Sequence, residues 1–347
     1  MRILPALLFL AALAVPARAQ DTSAAPGPLV VCATTPNLGA LLRAVAADDV
    51  EVTVFCKPTQ DPHFLRALPS FVKALSKADL LVFEGLELET GWLPALIDAA
   101  RNPELRTGAR GSFDASSAIE PIRSAATDRS AGDVHALGNP HYLVDPLGGI
   151  AVAHALAAKL GELRPRRREA YAAAAVALQE RIGAVLFGDE LAARFDERKL
   201  GALQSHGRLD AFLEQQGLRD RLGGVLGRTG KHRRARVVVD HDAWPYLLRT
   251  LQLETAGFLE PYPGTAPSTR HLGRLVDALH AQPARVLLHV PYFEPGPIAF
   301  VTGATGIAAI ALAHQVGALP GTDDYEAFVR TNLDAIADGL DRSSPAR

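Results

Sequence analysis

Three histidines hold the same kind of position in this chain. His63 lies in Lys57-Pro58-Thr59-Gln60-Asp61-Pro62-His63-Phe64, His141 in Gly138-Asn139-Pro140-His141-Tyr142, and His241 ends Ala235-Arg236-Val237-Val238-Val239-Asp240-His241. Each follows a strand or an extended loop and precedes a helix-forming run. Neutral imidazoles suit Zn2+, whereas manganese and calcium take more oxygen. The spacings are too long for a zinc finger or a local chelate, so these donors can meet only through the tertiary fold. The chain holds 2 cysteines, too few for a thiolate-rich zinc site.

The elements that carry these residues follow from pattern. The run 50–56 reads as a strand, and Pro58 and Pro62 forbid both helix and ladder beyond it. His63 therefore stands on a stiff loop at the carboxyl end of a strand, where open α/β sheets bind ligands. Strands are expected at 29–35, 50–56 and 78–83, with helices at 38–47, 65–76 and 93–100. Such alternation implies a parallel, helix-covered sheet. Residues 110–133 read as strand remnants and loop. The alternation returns in the second half, with strands at 235–241, 256–259, 286–290 and 307–312, and helices at 244–251, 270–281, 299–304 and 324–340. Between the halves, the alanine-rich run Arg166 to Val185 is the strongest helix signal. At 1.5 Å per residue it extends roughly 30 Å, enough to connect two domains. The stretch 191–232 is charged, glycine-punctuated and helix-prone, with short helices at 210–215 and 218–226. The fold expected is α/β: two lobes, each a parallel-rich sheet covered by helices, bridged by one long rigid linker helix.

Bulk properties bound the rest. With 347 residues, 48% hydrophobic and 21% charged, the chain is globular and long enough for two domains. A formal net charge of -2 provides no field for nucleic acid or an anionic membrane. Met1-Arg2, the apolar run Ile3 to Val15 and Ala17-Arg18-Ala19 read as a signal peptide over 1–19, cut before Gln20. Residues 20–28 read as a flexible leader, 29–165 as the N-terminal lobe, 166–187 as the linker helix and 188–347 as the C-terminal lobe. The expected product is an exported periplasmic monomer with no stable membrane insertion. Cys32 and Cys56, near the ends of the first two strands, are either a disulfide of an oxidising compartment or two buried thiols.

Local motifs then carry a resemblance. Asp61-Pro62-His63-Phe64, Asn139-Pro140-His141-Tyr142-Leu143-Val144-Asp145-Pro146 and His241-Asp242-Ala243-Trp244-Pro245-Tyr246 are the first. Ala78-Asp79-Leu80-Leu81-Val82-Phe83-Glu84-Gly85-Leu86-Glu87-Leu88-Glu89 and Leu259-Glu260-Pro261-Tyr262-Pro263-Gly264-Thr265-Ala266-Pro267-Ser268 complete the set. Over about residues 29 to 340, the chain resembles the cluster A-I (cluster 9) solute-binding proteins of metal ABC importers, the zinc-binding periplasmic type. That resemblance implies capture of Zn2+ in the cleft and delivery to an inner-membrane metal ABC permease, without catalysis. It places the first two ligands on His63 and His141 and the third on His241. It also implies a carboxylate from a loop before the last helix. That loop, 317–325, looks short here; Asp323 is the preferred candidate over Asp324, with Glu294 an outside alternative. Either aspartate is equally readable as a cap of the final helix.

Two departures from the family pattern bear on this. The region 114–138 carries only His135 where many zinc-binding members have an acidic, histidine-rich loop, so His135 is a candidate shield or transient ligand. The stretch 191–235 looks longer than in the simplest members and is a candidate partner surface. The histidines at 154, 206, 232, 271, 280, 289 and 314 read as helix-face, core or surface residues. Two other functions remain open: a zinc hydrolase with an open coordination position, for which no His-Glu-x-x-His helix is present, and a periplasmic zinc metallochaperone. Without a lipobox cysteine, a surface-anchored adhesin is disfavoured. Protonation of the imidazoles should weaken binding below roughly pH 6.

Overall fold

Short runs of Val, Leu and Ala, stopped by Thr, Asp or Pro, make the strands, and proline in the first turn opens several of the helices. In the computed structural model, residues 27–123, 136–261 and 264–343 are described. The signal peptide expected at 1–19, most of the leader and His135 lie outside them.

The N-terminal half contains β1 (Leu29–Ala33), α1 (Pro36–Ala46), β2 (Val50–Val54), α2 (Pro69–Leu75), β3 (Leu80–Phe83), α3 (Leu93–Ala100) and β4 (Ser112–Asp114). Two long helices follow, α4 (Pro146–Leu163) and α5 (Arg168–Phe187), then four short ones, α6 (Asp189–Ala192), α7 (Glu197–Ser205), α8 (Leu209–Gln215) and α9 (Gly224–Thr229). The remainder is β5 (Arg236–Val239), α10 (Pro245–Leu251), β6 (Glu254–Phe258), α11 (Thr269–Ala281), β7 (Val286–His289), α12 (Pro295–Thr305), β8 (Ala308–Ala311) and α13 (Tyr325–Arg342). The helix expected from 65 starts only at Pro69, because the residue before a proline avoids the helical region and Leu68 sits at φ -113, ψ 145. β4, three residues long, is the strand remnant expected in the 110–133 region.

Both sheets are parallel and share one order, β2-β1-β3-β4 and β6-β5-β7-β8. In each, the chain leaves its first strand toward one edge and then crosses back to the other side. The crevice at the carboxyl ends of such a reversal is the natural ligand position of an open α/β sheet. The segments after β1, β3, β5 and β7 therefore converge on it.

Side chains alternate across each sheet with period two. Val31, Ala33, Leu80 and Val82 face one core, while Cys32 and Leu81 face a second formed with α2 and α3. The other sheet repeats this: Val237, Val239, Val286 and Leu288 join the first core, and Val238 and Leu287 a third with α11. The first core thus draws on both sheets. Within it, α5 presents Tyr171, Ala175, Leu178, Ile182 and Leu186 at helical spacing, all buried. α5 packs against α1, α4, α9 and α13, so the bridge between the lobes is embedded on several sides. Among the described residues, Pro165–Phe187 is the one stretch long and apolar enough to cross a bilayer, and this stripe is already packed in protein.

The register settles the cysteines. Cys32 lies opposite Thr53 on β2, so Cys56 is three residues further along, about 10 Å at strand rise. A disulfide needs Cα atoms roughly 4.4–6.8 Å apart. Both are free buried thiols, and burial pushes each up to about 12.

Ile182→Ala should cost about 2–5 kcal/mol in urea unfolding, because it opens a cavity where α5 meets the shared core. Unfolding should remain a single transition. Two separated transitions, one per sheet, would contradict a continuous core.

Candidate metal centre

Each cleft histidine is fixed by a polar side chain that holds both its backbone and its neighbourhood. His63 sits in the tight turn Pro62–Phe64. The Asp61 carboxylate accepts from the His63 backbone N–H at 2.9 Å and lies 2.7 Å from ring Nδ1. Trp92 Nε1 donates to the Pro62 carbonyl at 2.9 Å and pins the turn to the second core. Burial opposes charge on Asp61, but its hydrogen bonds to His63 outweigh that and hold the carboxyl at about 2.

His141 begins the turn His141–Val144 that leads into α4. Asn139 Oδ1 accepts from its backbone N–H at 2.9 Å, and Asn139 Nδ2 donates to the Asp242 carbonyl at 2.6 Å. One amide therefore ties the His141 turn to the His241 turn. Tyr246 reinforces the tie, since its hydroxyl donates to the Asn139 carbonyl at 2.8 Å. From below, Tyr142 donates to the Glu84 carbonyl at 2.7 Å and Tyr325 to the Leu143 carbonyl at 2.8 Å.

His241 leaves the end of β5 beside Asp240, which is 0% exposed. The Asp240 carboxylate accepts from the His241 N–H (2.8 Å), Trp244 Nε1 (2.9 Å) and the Val290 N–H (2.6 Å), and lies 3.2 Å from His241 Nδ1. Burial favours neutral forms of both partners, but the pair's mutual attraction outweighs it. Asp240 stays below the usual carboxylate range and His241 is pushed up to about 9.

A fourth ring completes the group. His314 follows β8, is buried, and has the Tyr292 hydroxyl 3.3 Å from its Nδ1. Burial, then the positive potential of His241, lowers it to about 3, so it is a neutral imidazole at physiological pH. Ring centres lie 5.1 Å apart for His63 and His141, 5.1 Å for His141 and His314, 5.6 Å for His141 and His241, and 6.2 Å for His241 and His314. Neighbouring rings are nearly perpendicular, at 72–86°. A metal about 2.1 Å from a ring nitrogen lies roughly 3.2 Å from the ring centre, so tetrahedral imidazoles have centres roughly 5 Å apart. The spacing is that of a donor set slightly open of coordination. As placed, and among the described residues, no group of three or more His, Cys, Asp or Glu side chains has its donor atoms close enough together to hold a metal ion.

The structure thus brings His63, His141 and His241 together. The expected carboxylates are all exposed. Asp323 is exposed, and the Asp324 carboxylate accepts from the Ala327 N–H at 2.8 Å as the cap of α13. Glu294 is exposed at the start of α12, on the rim of a cavity of about 290 Å³ shared with Asp61, His63, His241 and Glu260. The side chain that reaches the rings from the region after the last strand is His314, which the sequence pattern assigned to packing. A signal was available: His314 follows the end of a strand and precedes a helix, the same placement that singled out the other three. The remaining described histidines have structural partners, such as Gln179 for His154 and Asp341 for His232.

Comparison with known proteins decides the family. The sequence matches the family described as ZnuA, zinc-uptake complex component A, periplasmic, over residues 31–225 and 225–339. The chain belongs to the ZnuA family. Curated relatives include the metal ABC transporter substrate-binding lipoprotein ScbA of Streptococcus cristatus, 26% identical over 186 residues, 53% of this chain and 57% of that one. The manganese ABC transporter substrate-binding lipoprotein PsaA of Streptococcus pneumoniae serotype 4 is 28% identical over 171 residues, 48% of this chain and 52% of that one. The matched stretch spans about half the length of these relatives. Among solved structures, FpvC of Pseudomonas aeruginosa in complex with Mn2+ superposes with a TM-score of 0.70 at 20% identity, covering 91% of this chain and 99% of that one. A crystal structure of ZnuA gives 0.64 at 20% identity, covering 91% and 100%. At these identities the likeness is one of fold, and it includes both lobes of this ZnuA-family chain.

The electrostatics of the site predict its titration. In metal-free protein, NMR should find His241 titrating near pH 9 and His314 neutral down to about pH 3. Asp240→Asn should bring the His241 midpoint down toward or below the ordinary imidazole value, since burial then acts without its opposing charge. An unchanged midpoint would contradict the Asp240–His241 pairing.

Proposed function

We propose that this protein captures zinc in the periplasm, in the cleft between its lobes, and delivers it to an inner-membrane metal ABC permease. The observation that carries the reading is the gathering of four imidazole rings, two of them hydrogen-bonded from behind by Asp61 and Asp240. His63, His141 and His241 are three of the ligands, and His314 takes the fourth place in preference to Asp323. Manganese prefers more oxygen donors, so an all-imidazole set favours Zn2+ even though some relatives are named for manganese.

Capture rather than hydrolysis suits this geometry. Four protein donors leave no open position for an activated water, which catalytic zinc requires. Outer carboxylates suit retention: Asp61 on His63 and Asp240 on His241 fix ring orientation and raise donor basicity. Both are ionised, so together they balance the charge of one divalent cation. The permease supplies the partner in the membrane, while the protein itself works as a soluble monomer. With α5 embedded in a shared core, release proceeds through the loops that carry the rings, not through large lobe closure.

Chelator competition on mature protein beginning at Gln20 should show one tight zinc. Loss of an outer-shell partner at such sites typically costs about 10–100-fold in affinity, so alanine at His63, His141, His241 or His314 should cost at least that much. Asp323→Ala should leave affinity unchanged, and Mn2+ at equal concentration should not displace zinc. Affinity should keep rising with pH above neutrality, because at His241 zinc must displace the Nε2 proton of a ring whose protonated form the Asp240 charge stabilises. Displacement by Mn2+, or indifference to the histidine substitutions, would contradict this function.

A further inference from the structure

The fourth ring has no secondary structure to hold it. β8 ends at Ala311 and α13 begins at Tyr325, so His314 lies in irregular chain. Buried irregular chain must satisfy its backbone groups through side chains. Two asparagines do so here. Asn332 of α13 takes the residue before the ring: its Oδ1 accepts from the Ala313 N–H, and its Nδ2 donates to the Ala313 carbonyl, both at 2.8 Å. Asn37 takes the ring residue and the chain just after it. Its Nδ2 donates to the His314 carbonyl at 3.0 Å, and its Oδ1 accepts from the Val316 N–H at 2.8 Å. The Asn37 backbone N–H also reaches Gln315 Oε1 at 3.4 Å.

Asn37 belongs to the other lobe. It stands in the first turn of α1, is 1% exposed, and lies 277 residues from His314 in sequence. α1 starts with Pro36, whose fixed φ suits that place, and the Thr35 hydroxyl accepts from the Leu38 N–H to cap it. The amide is thus presented from a rigid helix end. Only an amide does this job at that point, because it must donate to one backbone group and accept from another. Aspartate lacks the donor, and an aliphatic side chain lacks both.

We propose that Asn37 is the positioning residue for the fourth metal donor, so that the N-terminal lobe sets where the C-terminal lobe's His314 stands. This rests on the capture reading above. Asn37 touches no metal; it acts by holding the peptide groups on either side of Gln315. Its loss frees the 314–316 segment on one flank, and His314 then meets the cation only after an ordering step.

The test is a double-mutant cycle on the mature chain, with zinc affinity from chelator competition and visible absorption of the Co2+-loaded protein. Asn37→Ala should weaken zinc about 10–100-fold, the usual effect of losing an outer-shell partner. It should add nothing further in the His314→Ala background. Its Co2+ spectrum should move toward that of His314→Ala, a change that general loosening of the fold would not produce. Asn37→Asp, similar in size but lacking the donor to the His314 carbonyl, is the second variant and should also weaken zinc. Equal losses with and without His314, or unchanged affinity in both variants, would overturn the positioning role while leaving capture intact. Wild-type protein without tight zinc, or tight zinc indifferent to His63→Ala, would instead overturn capture itself and this inference with it.

Discussion

Four rings drawn from two sheets can share one cation only if the sheets keep their separation to within a fraction of an ångström. The hydrophobic core meets that constraint. It runs from the inner face of one sheet through α1, α4, α5 and α13 to the inner face of the other. Each fully buried Leu or Val in it contributes roughly 1.5–3 kcal/mol, and because interiors are close-packed, relative motion of the lobes would break many contacts at once. Polar ties at the cleft lie over this base. Asn139 reaches Asp242, Tyr246 reaches Asn139, and Asn37 reaches the His314 segment, each crossing between halves of the chain. Geometry at the rings is therefore inherited from packing well away from them.

Charge is handled in the same layered way. His314 is kept neutral by burial, and His241 is paired with a carboxylate that has no solvent exposure. Asp61 and Asp240 sit behind the rings, not among them. A doubly charged cation bound as proposed would meet ring nitrogens directly, with the charge of Asp61 and Asp240 hydrogen-bonded to the far side of two of those rings. On the proposed reading, an all-imidazole set would favour a borderline-soft cation over a hard one.

Much of this was legible in the sequence, and the exceptions have physical causes. Parallel sheets covered on both faces read as continuous apolar runs, and Val237 to Val239 or Leu80 to Phe83 could hardly be anything else. The proline-flanked His63 and His141 stood out because proline fixes the chain around them. The helix expected from 65 started late because sequence periodicity cannot see that Leu68 must be extended before Pro69. His314 was passed over because its segment has neither proline beside it nor regular structure. Its position is set by Asn37 and Asn332, and hydrogen bonds spanning 277 and 19 residues leave no local trace. The carboxylate preferred in its place, Asp323, lies in a loop whose length gave no hint of which way it faced. Cysteine pairing was undecidable for a related reason: neighbouring strands were foreseeable, but the register that sets Cys32 opposite Thr53 was not.

A crystal structure of the zinc-loaded protein, with the metal located by anomalous scattering at the zinc edge, tests the central claim most directly. One peak is expected, about 2.0–2.1 Å from a ring nitrogen of each of His63, His141, His241 and His314. A peak bound by three of these rings with water, Asp323 or Glu294 in place of His314 would contradict the four-imidazole site, and a peak outside the cleft would contradict the whole reading.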